Sequence, residues 1–149
     1  MGRISKENYY LDIAETVLER STCLRRVYGA IIVNNDEIIS TGYNGAPRGR
    51  VNCSELGYCT REAMKVPRGE RYELCRSVHA EANAISKVAK SGNSSDGATL
   101  YVTASPCIEC AKLIIQAGIR RVVYKDEYRL TDGIDLLRRA GIEVEKVDC

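Results

Sequence analysis

The second half of the chain alternates short apolar runs with segments whose apolar residues recur at helical spacing, and this alternation constrains the fold most. Each helical segment is followed by a glycine, the residue that most often closes a helix. Parallel strands need such helical crossovers, and the crossovers cover both faces of the sheet. The predicted strands span 99–103, 121–124 and 144–147, and the predicted helices span 78–90, 106–114 and 132–140.

The first half adds one helix and one hairpin. Ser5 can cap a helix whose apolar residues share one face. Two apolar runs, 30–33 and 38–41, flank an Asn-Asn-Asp turn and predict an antiparallel pair. From 42 to about 72 no period persists, so we expect a long functional loop. The complete order αββαβαβαβ predicts one α/β domain over residues 1–149, with a mixed five-stranded sheet in a three-layer α/β/α arrangement.

Charge and composition narrow the class of protein. With 22 basic and 20 acidic residues the formal net charge is +2, which argues against the basic stripe of a duplex-binding surface. No run approaches the ~18 apolar residues of a membrane span, and the first residues lack the apolar stretch of a secretory signal. We therefore expect a cytoplasmic protein with no membrane partner. In a reducing compartment the seven cysteines indicate metal before disulfides.

Two short motifs, each at the start of a predicted helix, carry the chemistry. The first places Glu81 two residues after His79, and the second is a Pro-Cys-x-x-Cys sequence that contains Cys107 and Cys110. Thiols three residues apart share one face of a helical turn, and the amides of a helix start favour their thiolate forms. Together with His79 they would give three ligands and leave a fourth position for water, the pattern of a catalytic zinc. Glu81 would be free to carry protons beside that water.

Each part of this pattern has a plainer interpretation when it is taken alone. A Cys-x-x-Cys pair can be a redox centre or half of a structural zinc site. A single histidine is more often a surface or core residue than a ligand, and a glutamate near a helix start commonly serves the helix dipole. Their occurrence together, in this order and on two helix starts, favours a catalytic zinc site.

His-x-Glu followed by Pro-Cys-x-x-Cys resembles the signature of the zinc-dependent nucleobase deaminases, and the predicted element order is similar to the cytidine deaminase fold. Within that superfamily the chain resembles the deoxycytidylate deaminases at 42–49 (GYNGAPRG), 79–85 (HAEANAI) and 105–107 (SPC). The resemblance runs from about Ser21 to Gly141. It implies hydrolysis of dCMP to dUMP and ammonia, which would supply dUMP for thymidylate synthesis.

The same resemblance assigns roles to the motif residues. Zinc would be held by His79, Cys107 and Cys110 and would lower the pKa of a bound water. Glu81 would move protons from that water to the pyrimidine ring and then to the departing ammonia. Asn44 would hydrogen-bond the sugar hydroxyl; its plainer interpretation is an Asn-Gly turn.

Other substrate contacts are expected outside the motifs. By resemblance, Tyr128 lies beside the nucleotide, and Arg129 follows it. Arg25 and Arg26 precede the first strand and are candidate phosphate ligands, because the guanidinium fork binds phosphate oxygens in pairs. For each of these side chains the alternative is solvated surface. Two more arginines, expected at the same rim, are Arg48 and Arg50. The resemblance also implies a homo-oligomer, often a hexamer, regulated by dCTP and dTTP.

Four cysteines remain between the first helix and His79. Four thiolates could close a structural zinc site, and the long loop needs something to hold it. Several deoxycytidylate deaminases resemble this arrangement, with a second zinc near the same loop. The alternative is a set of buried free thiols. The predicted ligands of the second zinc are Cys23, Cys53, Cys59 and Cys75; Cys149 is left unpaired.

Other functions fit the sequence less well. A deaminase of adenosine in tRNA shares the zinc signature, but it needs a basic surface and a means of holding splayed bases. A deaminase of single-stranded DNA needs the same, and this chain has no Phe or Trp. In a non-catalytic zinc module Glu81 would have no proton to carry. Nothing resembles the zinc loop of riboflavin-pathway deaminases. A preference for dCTP over dCMP stays open.

Overall fold

The computed structural model of the chain describes residues 2–67, 70–71, 74–127 and 130–148. Its regular elements follow the predicted order, with two additional single-turn helices in the long loop. In chain order they are α1 (Lys6–Leu18), β1 (Gly29–Asn34), β2 (Glu37–Tyr43), α2 (Cys53–Leu56), α3 (Thr60–Ala63), α4 (Ala80–Ser91), β3 (Thr99–Ala104), α5 (Ile108–Gln116), β4 (Arg121–Asp126), α6 (Asp132–Arg139) and β5 (Glu143–Lys146).

The strands form one five-stranded sheet in the order β2-β1-β3-β4-β5. β1 pairs antiparallel with both β2 and β3, whereas β3, β4 and β5 run parallel. The β1–β2 hairpin turns through Asn35 and Asp36, whose φ values of 51° and 60° lie in the left-handed region that these residues tolerate. The predicted mixed sheet, parallel after its opening hairpin, is confirmed.

Alternate strand residues face opposite layers of helices, as the two-residue period of a strand requires. On one face Ile31 and Tyr101 pack against Leu11 of α1. On the other face Ile32 and Leu100 pack in a larger cluster with residues of α4, α5 and α6. The three-layer arrangement is therefore confirmed. Within the described residues, no helix combines the length and the apolar character needed to span a bilayer.

Two glycines allow helices to approach the functional edge of the sheet closely. A Cβ at Gly42 of β2 would lie 2.3 Å from the carbonyl oxygen of Ala80, at the start of α4. A Cβ at Gly133 of α6 would lie 2.3 Å from the carbonyl oxygen of Pro106. Both distances are far below van der Waals contact, so only glycine fits. These contacts fix the starts of α4 and α5 relative to their neighbours.

Two details differ from the sequence prediction. The long loop contains α2 and α3, which escaped detection because four residues are too few to show a helical period. The helix predicted from residue 106 begins at Ile108, because Cys107 is extended (φ −74°, ψ 171°) and serves as its N-terminal cap residue. Ser5 caps α1 as predicted, since its Oγ accepts a bond of 3.1 Å from the amide of Asn8.

Candidate active site

The two sequence motifs meet at one edge of the sheet. β2 and β3 point in the same direction because each pairs antiparallel with β1. After β2, Gly45 and Val78 exchange backbone hydrogen bonds of 2.7 and 3.2 Å, which places His79 at the start of α4. After β3 the chain reaches Cys107 at the start of α5. Both helix starts therefore follow the carboxyl ends of β2 and β3, the two parallel strands on either side of β1, at an edge where open α/β sheets bind ligands.

The side chains of the three predicted zinc ligands converge there. His79 Nδ1 lies 3.5 Å from the Sγ of Cys107 and 3.4 Å from the Sγ of Cys110. Bond lengths of about 2.3 Å to sulfur and about 2.05 Å to nitrogen place tetrahedral neighbours about 3.6 Å apart. All three ligand atoms lie within 4.8 Å of one another. The donor set and its spacing therefore fit a zinc ion with a fourth position for water.

Hydrogen bonds link the three predicted ligands and shift their pKa values. A hydrogen bond from Cys110, together with neighbouring His79, lowers the pKa of the Cys107 thiol. The bond to Cys107 raises the pKa of His79. Cys110 has a raised pKa, because it gives its proton to the bond with Cys107 and is buried. Metal ligands must be deprotonated, so a bound metal would displace the protons that His79 and Cys110 hold.

Glu81 lies beside the three ligands in the first turn of α4. Its side chain is only 6% exposed, lines the same cavity as His79 and Cys107, and contacts the thiol of Cys110. Burial raises the pKa of its carboxyl group above the ordinary value, because the charged form loses its hydration. A carboxylate in this position is a stronger proton acceptor than an exposed one and lies next to the predicted metal ligands.

The cavity in front of these residues encloses about 830 Å³ of space, part of it open to solvent. Its floor is formed by His79, Glu81 and Cys107, and its opposite wall by residues of the segment between α1 and β1 and of the long loop. The cavity is lined by three of the predicted substrate-binding residues, Asn44, Arg25 and Arg26. Four further side chains also line it: Arg61, Cys23, Cys59 and Cys75.

Asn44 is buried, at 4% exposure, and lies between the floor and the opposite wall. Its Oδ1 accepts hydrogen bonds from the hydroxyl of Ser21 (2.5 Å) and the amide of Tyr28 (2.9 Å). Its Nδ2 donates to the carbonyl of Arg26 at 2.8 Å. Asn44 is therefore not a simple turn residue: it holds the segment that carries Arg26 against the end of β2.

The cavity wall carries cations. The Nε of Arg25 pairs with the carboxylate of Glu62 in α3 at 2.7 Å. Arg61, which sequence reasoning missed, is 6% exposed and donates from Nη2 and Nε to the carbonyl of Glu70 at 2.8 and 3.2 Å. A charged residue in an aperiodic loop gives no local sign of burial, so only the tertiary structure reveals it. Tyr128 and Arg129 lie outside the described residues.

The expected position of Arg48 and Arg50 at this rim is wrong. Both line a second open cavity, of about 1170 Å³, together with Lys87 and Lys90 of α4. The reason is a local fold of the loop: Asn52 Oδ1 accepts bonds from the Thr22 hydroxyl (3.1 Å) and the Ala46 amide (3.2 Å). These bonds turn the intervening residues toward α4.

Of the four remaining cysteines, three line the cavity (Cys23, Cys59 and Cys75), and Cys53 lies near Cys75. Cys53 and Cys59 are buried, and Cys23 and Cys75 are half-buried. Burial raises the pKa of the Cys75 thiol, and the nearby Cys23 and Cys53 add to this effect. Across the residues that the structure describes, His79 with Cys107 and Cys110 is the one group that brings three ligand atoms within 4.8 Å. The second zinc therefore stays a prediction.

Comparisons with known proteins agree with this geometry. The family model of the cytidine and deoxycytidylate deaminase zinc-binding region matches residues 4–126. ComE operon protein 2 of Bacillus subtilis is 39% identical over 99% of the chain and 74% of its own length. Deoxycytidylate deaminase of enterobacteria phage T4 is 38% identical over 95% of the chain and 90% of its own length.

A solved structure extends the similarity to the fold. The dCMP deaminase of cyanophage S-TIM5, crystallised in complex with dCMP and dUMP, is 40% identical. It aligns with a TM-score of 0.80 over 97% of this chain and 100% of its own. With the family model matched across both motifs, the chain belongs to the zinc-binding family of cytidine and deoxycytidylate deaminases.

Proposed function

We propose that the protein hydrolyses dCMP to dUMP and ammonia. The observation that carries this proposal is the buried Glu81 beside three converging zinc ligands, all facing one cavity. The relatives named deoxycytidylate deaminase, and the similar structure that holds dCMP and dUMP, indicate the substrate. Water enters the reaction and ammonia leaves it, so no further reactant is needed.

His79, Cys107 and Cys110 hold the zinc ion, whose contribution when bound is to lower the pKa of a water toward neutrality. Glu81 accepts a proton from the attacking water and delivers it to N3 of the pyrimidine ring. It then accepts the second proton of that water and delivers it to the amino group that leaves C4 as ammonia. Its buried position suits this role, because burial raises the pKa of the carboxyl group and makes the carboxylate a better proton acceptor.

Recognition of the nucleotide belongs to the other residues. Asn44 Nδ2 has a second N–H beside the one that it donates to Arg26, and this N–H is the proposed donor to the sugar hydroxyl. Arg25 and Arg26, which line the cavity, are the proposed phosphate ligands. Tyr128 is proposed to lie against the nucleotide.

A substrate panel tests the proposed function. Ammonia release should be measured with dCMP, deoxycytidine, dCTP and a tRNA anticodon stem-loop. Charge-assisted bonds to phosphate contribute about 1.5–3 kcal/mol each, so dCMP should exceed deoxycytidine at least tenfold in kcat/KM. Equal rates on both would refute phosphate recognition. Release of ammonia from the tRNA stem-loop alone would instead indicate a deaminase of adenosine in tRNA.

We also propose a second, structural zinc held by Cys23, Cys53, Cys59 and Cys75. Three of them line the same cavity, and Cys23 and Cys53 both lie near Cys75, which supports it, as does the long loop that they would tie down. The six cysteines in the described part of the chain are free thiols, which suits a reducing compartment, and the cytoplasm is the proposed location.

Regulation by dCTP and dTTP and assembly into homo-oligomers belong to the same proposal. The second cavity supports an anionic effector, because Arg48, Arg50, Lys87 and Lys90 line it. Tyr43 adds an aromatic face there, with the ammonium of Lys87 5.7 Å from its ring centre. Sedimentation analysis, with and without each nucleotide, tests the assembly; rate measurements with added dCTP or dTTP test the regulation.

A further inference from the structure

Arg25, a proposed phosphate ligand that lines the catalytic cavity, forms an ion pair with a carboxylate of the long loop. Glu62 Oε1 lies 2.7 Å from Arg25 Nε, and the two side chains are 58% and 27% exposed. An ion pair with this much solvent contact contributes little to folding stability. It joins α3 of the long loop to the segment between α1 and β1, through the one partner, Arg25, that lines the cavity.

The contact constrains how Arg25 can meet a phosphate. An arginine has five N–H donors, and the bond to Glu62 uses the donor at Nε. The guanidinium plane is thereby oriented while its Nη donors stay able to bind phosphate oxygens. Because Arg25 lines the cavity, a single phosphate at the rim would meet an arginine that is already positioned.

The negative charge of Glu62 opposes the binding of a longer phosphate chain. Arg25, Arg26 and Arg61 bring three cations to the cavity lining, and Glu62 places an anion beside the first of them. A monophosphate carries a charge of about −2, and a triphosphate carries roughly twice that. A chain that continues past the first phosphate approaches the carboxylate, and like charges in close juxtaposition oppose binding.

We propose that Glu62 determines how many phosphates the active site accepts, by orienting Arg25 for one phosphate and repelling the second and third. This inference rests on the proposed deamination of dCMP. It gives Glu62 a specificity role and no part at the reacting atoms. Discrimination by a repulsive group is a common means of excluding a close competitor.

Glu62→Gln tests the proposal with a nearly isosteric side chain that lacks the charge. We expect the ratio of kcat/KM for dCTP to that for dCMP to rise about tenfold, with dCDP in between. On dCMP, kcat should stay within about twofold, whereas KM should rise. The shift should shrink at high salt, because screening weakens the repulsion between exposed charges. Chromatographic identification of dUMP, dUDP and dUTP separates turnover of dCTP from any effect that dCTP has as an effector.

The control is Glu143→Gln, which removes the same charge from another exposed Glu–Arg pair. Glu143 Oε1 lies 3.8 Å from Arg121 Nε, on the terminal strand of the sheet and outside the cavity lining. This variant should keep the parental ratio. Glu62→Asp, which retains the charge, should give a ratio close to that of the parent. This second control shows whether a change in the Glu62 side chain alone disturbs the local fold.

The possible outcomes are distinguishable. A parental ratio in Glu62→Gln overturns the specificity role while leaving the dCMP deaminase function intact. An equal rise in Glu62→Gln and Glu143→Gln also overturns it, because net charge alone would then explain the change. Absence of dCMP turnover in the parent protein, loaded with zinc, instead removes the proposed function on which the inference rests.

Discussion

The two walls of the catalytic cavity are built in different ways. One wall comes from the first turns of α4 and α5, which lie beyond the carboxyl ends of β2 and β3 and are held there by backbone hydrogen bonds and close glycine contacts. The other wall comes from the segment between α1 and β1 and from the long loop, where α2 and α3 are the regular pieces between β2 and α4 in the described residues. The first wall carries the proton and metal chemistry, and the second carries the cations that suit a phosphate.

Because of this difference, we expect substitutions in the two walls to affect different properties of the enzyme. Proton transfer requires placement within hydrogen-bond reach, which regular elements supply. Recognition of a charged group tolerates looser placement, because charge–charge attraction falls slowly with distance. We therefore expect substitutions in the helix wall to alter turnover and metal content, and those in the loop wall to alter KM, specificity and stability.

Glu81→Gln should have the largest effect. The amide cannot exchange the proton that the reaction moves, so kcat on dCMP should fall by about 10²–10⁴-fold. Zinc content and melting temperature should stay close to the parental values, because the three ligands remain. Rates should be measured on zinc-loaded protein, with His79→Ala as the comparison that loses the catalytic metal. Activity within a few-fold of the parent would remove Glu81 from the reaction.

The metal content of paired cysteine variants tests the two walls directly. Elemental analysis should give about two zinc ions per chain, and about one in either Cys53→Ser or Cys110→Ser, because each variant loses one ligand of one site. Cys110→Ser should lose activity, whereas Cys53→Ser should mainly lower the melting temperature, since a structural metal contributes folding energy. If the parent protein contains only one zinc ion per chain, the four loop cysteines are free thiols and do not form a second zinc site.

Gly133→Ala tests how tightly the helix wall is fixed. The added Cβ would lie 2.3 Å from the carbonyl oxygen of Pro106, which is backbone next to the ligand Cys107. Overpacking of this kind costs about 1–3 kcal/mol of the free energy of unfolding. We also expect weaker zinc retention in a chelator challenge. Gly2→Ala, where nothing lies within 4 Å of the added carbon, is the control.

The helix wall is also the part that sequence reasoning predicts well. Its information is local: the three-residue spacing of Cys107 and Cys110 places both thiols near one helix start, and His79 with Glu81 does the same on another. Alternation of strands and helices then predicts that both starts lie at one edge of a sheet. Most of the predicted helix and strand boundaries shift by a residue or two, without moving these side chains out of reach.

The loop wall could not be predicted in the same way, because its geometry depends on distant partners. Arg48 and Arg50 face the second cavity because Asn52 bonds back to Thr22, thirty residues earlier in the chain. Arg61 is buried and donates hydrogen bonds to carbonyl groups of its own loop, an arrangement that no periodic sequence pattern predicts. Asn44 combines a predictable and an unpredictable feature. Its motif suggests a role in substrate binding, whereas its hydrogen bond from Ser21 is revealed only by the tertiary structure.

The smallest expected effect lies far from both walls and tests whether stability and activity separate. Asp36, in the β1–β2 turn, accepts a bond of 2.5 Å from the hydroxyl of Tyr10, and its other oxygen lies 3.1 Å from the ammonium of Lys6. The bond from Tyr10, and then Lys6, hold the pKa of Asp36 below its ordinary value. A lowered pKa stabilises the fold above the unfolded value of about 3.9, and this contribution disappears as the pH falls through the lower folded value.

Asp36→Asn should therefore melt slightly below the parent at pH 7, and the difference should vanish in acid, where Asp36 is itself uncharged. Tyr10→Phe, which removes the hydroxyl donor, should show a deficit at pH 7 that is not additive with that of Asp36→Asn, because both variants break the same contact. Calorimetric melting across the acid range is the measurement, and kcat/KM on dCMP at pH 7 should be unchanged in both. A loss of activity in either variant would show that the contact between α1 and the β1–β2 turn is coupled to the cavity, and that stability and activity do not separate there.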